Sequence, residues 1–211
     1  MVGPGRPQFV LFGSSIVQMS YNVGGWGSIF ADLYTRKADV VLRGYSGWNT
    51  RMALEILEIV FPKSLSDETR IICLTSPPVN EAKVREIFGN GLDDQARTNE
   101  SCRIYSEALV DLCMEMDVEA INLWTAIQER DDWANACFID GIHLSAEGSK
   151  IVVKEILKVL KKIDWEPSLY WLKMTAEFSE DSPYYVVNSN GSTTVNVSSH
   201  ISTWQREWLD I

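Results

Sequence analysis

Histidine is nearly absent. The 211 residues hold two, His143 and His200, so any chemistry that needs an imidazole has two candidates. Cysteine is sparse: Cys73, Cys102, Cys113 and Cys137 form no Cys-x-x-Cys pair. Neither a zinc-ligand spacing nor a disulfide framework results, and reduced thiols in a cytoplasmic protein are expected. Basic residues are outnumbered, 19 against 29 acidic, for a formal charge of −10. That balance excludes nucleic acid as the main partner and docking by charge on an anionic membrane. No apolar run approaches the length of a membrane span, so no stable membrane insertion is expected. Met1 to Gln8 has no apolar stretch of the signal-peptide kind, which also fits a cytoplasmic location. Three Asn-x-Ser sequons, at Asn99, Asn190 and Asn196, are then chance matches. Gly-x-Gly-x-x-Gly, the Walker loop and Gly-x-Ser-x-Gly are all missing, which weakens a nucleotide-binding reading and excludes an α/β-hydrolase elbow.

Apolar residues make up 45% of the chain, enough for a full core in one domain or in one domain with an extension. Short apolar runs at Phe9–Phe12, Asp39–Leu42, Arg70–Thr75 and Ala120–Leu123 read as buried strands. Between and after them, Trp26–Tyr34, Arg51–Phe61, Asn99–Met116 and Ala146–Ile163 show helical spacing, with Ser145 placed to cap the last. Continuous apolar strands alternating with helices predict a parallel sheet covered on both faces, with ligands at the carboxyl ends of its strands. Composition shifts after Asp164. Residues 165–211 hold four of the eight tryptophans, two basic and six acidic residues, and little periodicity. They read as an extension that wraps the domain of residues 1–164, with its aromatics in surface grooves.

Ser15 follows the first strand in Phe12-Gly13-Ser14-Ser15-Ile16. A serine on such a strand-to-helix turn has the helix's free N–H groups beside its oxygen, as a nucleophile with an oxyanion donor needs. The same serines also suit a plain helix cap. His143 lies in Asp140-Gly141-Ile142-His143-Leu144-Ser145, where Asp140 can fold back and fix one imidazole tautomer. Gly47, in Gly44-Tyr45-Ser46-Gly47-Trp48-Asn49-Thr50, can bring a backbone N–H to a reacting carbonyl. Ser46 is a rival nucleophile without so clear an elbow. Trp26 and Trp48 are candidates for a pocket wall or for the core.

Read at greater length, FVLFGSSIVQMS, GGWGSIFADLYTRKADVVLRGYSGWNT, TSPPVNEAKVR and CFIDGIHLSAEGSKIV resemble the GDSL, or SGNH, hydrolases. The resemblance is to the plant GDSL esterase/lipase group related to isoamyl-acetate-hydrolysing esterases, and it covers nearly the whole chain. It implies a flavodoxin-like three-layer α/β sandwich and carboxylic ester hydrolysis on small or short-chain acyl esters, without cofactor or metal. By resemblance Ser15 is the nucleophile, His143 the base and Asp140 its orienting carboxylate. The N–H groups of Ser15 and Gly47 form part of the oxyanion hole.

Two departures stand out. Residue 14 is serine where the family name implies aspartate. More seriously, the family's Gly-x-Asn-Asp block, whose asparagine is a third oxyanion donor, is missing together with its central strand. The deletion falls near residues 62–66. Asn49, Asn80 and Asn90 are possible substitutes. Loss of one donor lowers turnover about 10²–10³-fold. If Ile71–Leu74 closed the gap by pairing with the first strand, the His143 loop would shift by ~4.8 Å relative to Ser15. The alternative function is a truncated, catalytically weak isoform acting as a binding or interaction protein.

Overall fold

The computed structural model describes residues 5–61, 69–89, 97–182 and 197–211. The deletion junction at 62–66, Asn90, and the tail positions Asn190, Gly191 and Asn196 lie outside them. The helices are α1 (Ser15–Gln18), α2 (Trp26–Leu33), α3 (Thr50–Val60), α4 (Glu81–Phe88), α5 (Asn99–Glu115), α6 (Leu123–Gln128), α7 (Trp133–Ala136) and α8 (Ala146–Lys162). Strand β1 (Gln8–Gly13) runs parallel to β2 (Asp39–Gly44), with Val10 opposite Val41 and Gly13 opposite Gly44. Strand β3 (Ile72–Leu74) runs parallel to β4 (Glu119–Ile121). The fourth apolar run stops as a strand at Ile121. Asn122 then turns the chain, and its side chain accepts from the Thr125 N–H at 3.0 Å to cap α6.

The α/β architecture expected from the alternation is present, but its sheet is divided. Among the described residues β1 pairs with β2, β3 pairs with β4, and no ladder joins the two pairs. The expected closure of Ile71–Leu74 onto the first strand does not occur. The reason lies in the core, which both half-sheets share. Phe9, Leu11 and Val40 from one half and Ile72 and Leu74 from the other pack against the buried stripes of α2 and α8, among them Trp26, Phe30, Val153 and Leu157. The Phe9 ring meets Phe30 edge-on at 5.0 Å and Tyr34 at 4.7 Å. Drawing β3 toward β1 would pull Ile72 and Leu74 off this core, where each buried side chain contributes about 1.5–3 kcal/mol.

The segment after α8 ties the halves together at one end. Arg70, just before β3, donates to the Pro167 carbonyl at 3.1 Å and to that of Glu166, and stacks on Trp165 at 5.3 Å. A few residues on, Tyr34 donates to the Leu169 carbonyl at 2.7 Å, and Lys37 donates to the Trp171 carbonyl at 2.6 Å. Tyr34 and Lys37 lead into β2. Two of the tail tryptophans, Trp171 and Trp208, belong to the core itself rather than to surface grooves, whereas Trp204 is exposed.

The opposite face of the strands is thinly covered. Alternation turns Val10 and Phe12 away from the α2–α8 core. Phe12 meets Phe61 there at 5.5 Å, and Cys73 meets Cys113 of α5. Val10 is 37% exposed, and α3 has no buried residue.

Candidate active site

Chain turns at the carboxyl ends of β1 and β2 build the first half of the site. Ser15 opens α1 directly after β1. Ser14 occupies the cap position, yet its hydroxyl makes no capping bond, so the plain-cap role of the serine pair is not the one observed. The Ser14 carbonyl accepts from the N–H groups of Val17 and Gln18 at 3.1 and 2.9 Å. The Ser15 N–H, at the first helical position, has no acceptor among the described residues. With a single turn behind it, this N–H acts as an individual donor rather than through a helix dipole.

The loop after β2 lies against that turn. Gly44 sits so close to α1 that a Cβ there would fall 2.0 Å from the Gln18 nitrogen. Gln18 in return accepts from the Ser46 N–H at 2.8 Å, and Tyr45 donates its N–H to the Gly13 carbonyl at 2.8 Å. These contacts bring the Gly47 loop to the Ser15 turn. The Gly47 N–H has no acceptor among the described residues, and a Cβ there would meet nothing within 4 Å. Trp48 stacks on Tyr45 at 4.4 Å, while Trp26 is core, its indole N–H on the Ile16 carbonyl at 3.1 Å.

His143 and Asp140 form the second half. One carboxylate oxygen of Asp140 lies 2.5 Å from His143 Nδ1. The other accepts from the backbone N–H groups of Ile142 and His143 at 3.0 and 2.8 Å. Burial pushes the Asp140 carboxyl up, but these hydrogen bonds from His143 and Ile142 outweigh it and hold it below the ordinary range. An ionised Asp140 keeps the proton on Nδ1 and leaves Nε2 as the acceptor, the tautomer a general base needs. Ser145 caps α8 through the Gly148 N–H at 3.2 Å and donates to the Ala136 carbonyl at 2.6 Å. Ala146 at the start of α8 lies against Gly24, which follows α1. Ser15 and His143 are not hydrogen-bonded to each other. Such contacts are often open in the absence of substrate.

Two residues take a supporting role that the sequence reading did not give them. Asn80 caps α4 through the Lys83 N–H at 3.1 Å, donates its side-chain amide to the Ala134 carbonyl at 2.8 Å, and donates its backbone N–H to the Gly141 carbonyl at 2.9 Å. Lys83 donates to the Phe138 carbonyl at 3.1 Å. The first turn of α4 is thus the floor of the Asp140–His143 loop. Gly141 lies on that floor with φ +91°, where a Cβ would come within 2.6 Å of the Asn80 carbonyl oxygen. The pattern Pro-Pro-Val-Asn-Glu, a cap followed by an acid, would have located this helix start. With both ends of its amide engaged, Asn80 is not a substitute oxyanion donor. Asn49 turns its oxygen onto its own helix, accepting from Arg51 and Met52 at 3.0 and 3.2 Å. His200 lies in the tail, apart from this arrangement.

No family model matches the chain. Over a match covering 92% of this chain and 93% of the relative, it is 48% identical to GDSL esterase/lipase WDL1 of Oryza sativa subsp. japonica. The chain belongs to the GDSL esterase/lipase family. A second member, GDSL esterase/lipase CPRD49 of Arabidopsis thaliana, is 46% identical across 99% of this chain and 100% of its own length. That match extends over 255 residues against the 211 here, so the Arabidopsis GDSL protein carries several tens of residues without counterpart in this one. The Isoamyl acetate-hydrolyzing esterase 1 homolog of Bos taurus is 29% identical over 78% of the chain. Among solved structures, a lipolytic G-D-S-L family protein from Veillonella parvula superposes with a TM-score of 0.57 at 17% identity, covering 74% of this chain and 99% of that one. The GDSL fold is therefore retained although the sheet is divided. Esterase relatives of such similarity favour an ester hydrolase over a binding protein.

Proposed function

We propose that this GDSL hydrolase cleaves small, short-chain acyl esters through Ser15, His143 and Asp140. Ser15 Oγ attacks the ester carbonyl carbon while His143 Nε2 takes its proton. The oxyanion is held by the N–H groups of Ser15 and Gly47. Collapse expels the alcohol, which receives the proton from His143, and leaves an acyl-serine. Water, deprotonated by His143, then releases the acid and restores the serine. The observation that carries this reading is the 2.5 Å contact of Asp140 with His143 Nδ1, which dedicates Nε2 to accepting a proton. Two N–H donors without acceptors, on adjacent loops, support the oxyanion role. A short acyl group is supported by the acetate named for the bovine relative. Four free cysteines support a reducing, cytoplasmic location.

The test is hydrolysis of p-nitrophenyl acetate by the purified protein, together with fluorophosphonate labelling. Ser15→Ala is expected to abolish both. Activity retained in that variant would refute the assignment, and labelling of Ser46 instead would transfer the nucleophile to it.

A further inference from the structure

Gly47 does not hold its own place. Tyr45, Ser46, Gly47 and Trp48 make a turn closed by the Trp48 N–H on the Tyr45 carbonyl at 3.2 Å. Gly47 has φ +80°, and Ser46 is not among the residues of positive φ. That combination is a type II turn, with Ser46 second and Gly47 third. Its central peptide, which carries the Gly47 N–H, is flipped relative to the commoner type I turn. The direction of that N–H therefore depends on how the turn is held. Packing does not hold it: Ser46 and Gly47 are exposed, and a Cβ at Gly47 would meet nothing within 4 Å. The Tyr45 N–H on the Gly13 carbonyl fixes the entry, and Asn49, capping α3, fixes the exit. Between them, one hydrogen bond among the described residues reaches the turn from outside. It runs from the Ser46 N–H to Gln18 Oε1, at 2.8 Å.

We propose that Gln18 is a positioning residue for the oxyanion hole, a role that rests on the reading in which Ser15 and Gly47 donate to the oxyanion. Gln18 is the last residue of α1, three after Ser15. Its backbone is pinned on two sides. The Gln18 N–H donates to the Ser14 carbonyl at 2.9 Å, and Gly44 lies so close that a Cβ there would fall 2.0 Å from the Gln18 nitrogen. The side chain is thus a strut with a fixed foot on the nucleophile's turn and its head on the turn of the second donor. Because the Ser46 N–H donates, the amide atom facing it is the oxygen. Gln18 acts through Ser46 and sets the spacing of two N–H groups that lie on separate loops. The strut is exposed, so the core does not depend on it.

Kinetics on p-nitrophenyl acetate test this. Gln18→Met keeps the length of the side chain and removes the acceptor. Its kcat is expected to fall about tenfold, short of the 10²–10³-fold cost of losing a donor outright, with KM and Tm little changed. Fluorophosphonate labelling of Ser15 should slow by the same factor. Ser46→Pro is the second variant. Proline lacks the N–H, and its fixed φ suits the second position of a type II turn. On the Ser46→Pro background, Gln18→Met should change nothing further, because the bond it breaks is already gone. An unchanged kcat in Gln18→Met, while Ser15→Ala abolishes activity, overturns the role of Gln18 and leaves the hydrolase reading standing. Activity that survives Ser15→Ala overturns that reading, and the role of Gln18 with it. A raised KM at constant kcat, or an equal loss on the Ser46→Pro background, also overturns the proposal, since Gln18 would then act on the substrate and not through Ser46.

Discussion

In the proposed mechanism His143 depends on a carboxylate three residues before it. Asp140 spends one oxygen on the imidazole and the other on two backbone N–H groups, so a local turn both holds the loop and selects the tautomer. Asparagine at 140 removes the charge with little change of shape. Asp140→Asn is expected to lower kcat about 10³–10⁴-fold on p-nitrophenyl acetate while Ser15 and His143 stay in place. The same residue sets an acid sensitivity. Its folded pKa lies below the ordinary 3.8, so its stabilisation is complete above that value and is lost as pH falls through the lower folded one. The difference in Tm between wild type and Asp140→Asn should therefore be largest above about pH 5 and shrink as pH falls below 3.8. Cysteine provides the opposite case. Burial, with Cys113 alongside, pushes the Cys73 thiol up to about 11, and burial also raises Cys102 and Cys137. These thiols are poor nucleophiles at neutral pH. Iodoacetamide should label them only after denaturation and leave hydrolysis intact. Sequence placed Ser15, Gly47, Asp140 and His143 as candidates because short-range order suffices for a turn or an Asp-x-x-His loop.

Helices legible from periodicity appear near their expected bounds: α2, α3, α5 and α8 each carry an apolar stripe long enough to read. The short helices α4, α6 and α7 do not, since one or two turns give too few residues for a period. Yet α4 is the element that supports the Asp140–His143 loop. Its first turn holds the Asp140–His143 loop through Asn80 and Lys83. Asn80→Ala removes a cap and a loop contact; a loss of about 1 kcal/mol in stability is expected from the cap alone. Lys83→Met should lower kcat about tenfold with KM little changed, because the loop rather than the substrate contacts is loosened. Lys83→Arg, which keeps a donor for the Phe138 carbonyl, should recover most of it. Equal losses in Lys83→Met and Lys83→Arg would show that Lys83 does not act through that carbonyl.

Across the whole molecule, one core sets the limits. Strands β1, β2 and β3 pack against the same α2–α8 layer, while residues 165–171 reach from the start of β3 to the approach of β2. Trp171, fully buried in that core, joins the tail to it. Trp171→Ala should cost about 3–5 kcal/mol and lower Tm accordingly, as calorimetry would measure. A chimera that receives a Gly-x-Asn-Asp strand and its loop at the expected 62–66 junction should gain a continuous sheet, a higher Tm, and turnover raised about 10²–10³-fold by the added oxyanion donor. A chimera no more active than the parent would mean that the two backbone donors already suffice.

Sequence alone determined the strand and helix alternation, the serine elbow, the Asp140–His143 loop and the missing Gly-x-Asn-Asp block, because each is written in residues close along the chain. Only the tertiary structure decided that no ladder joins the two strand pairs among the described residues, that β3 keeps β4, that two tail tryptophans enter the core, and that α4 carries the Asp140–His143 loop. Those outcomes depend on which of several distant surfaces buries more apolar area, and that competition is settled in three dimensions, between segments the sequence does not place side by side.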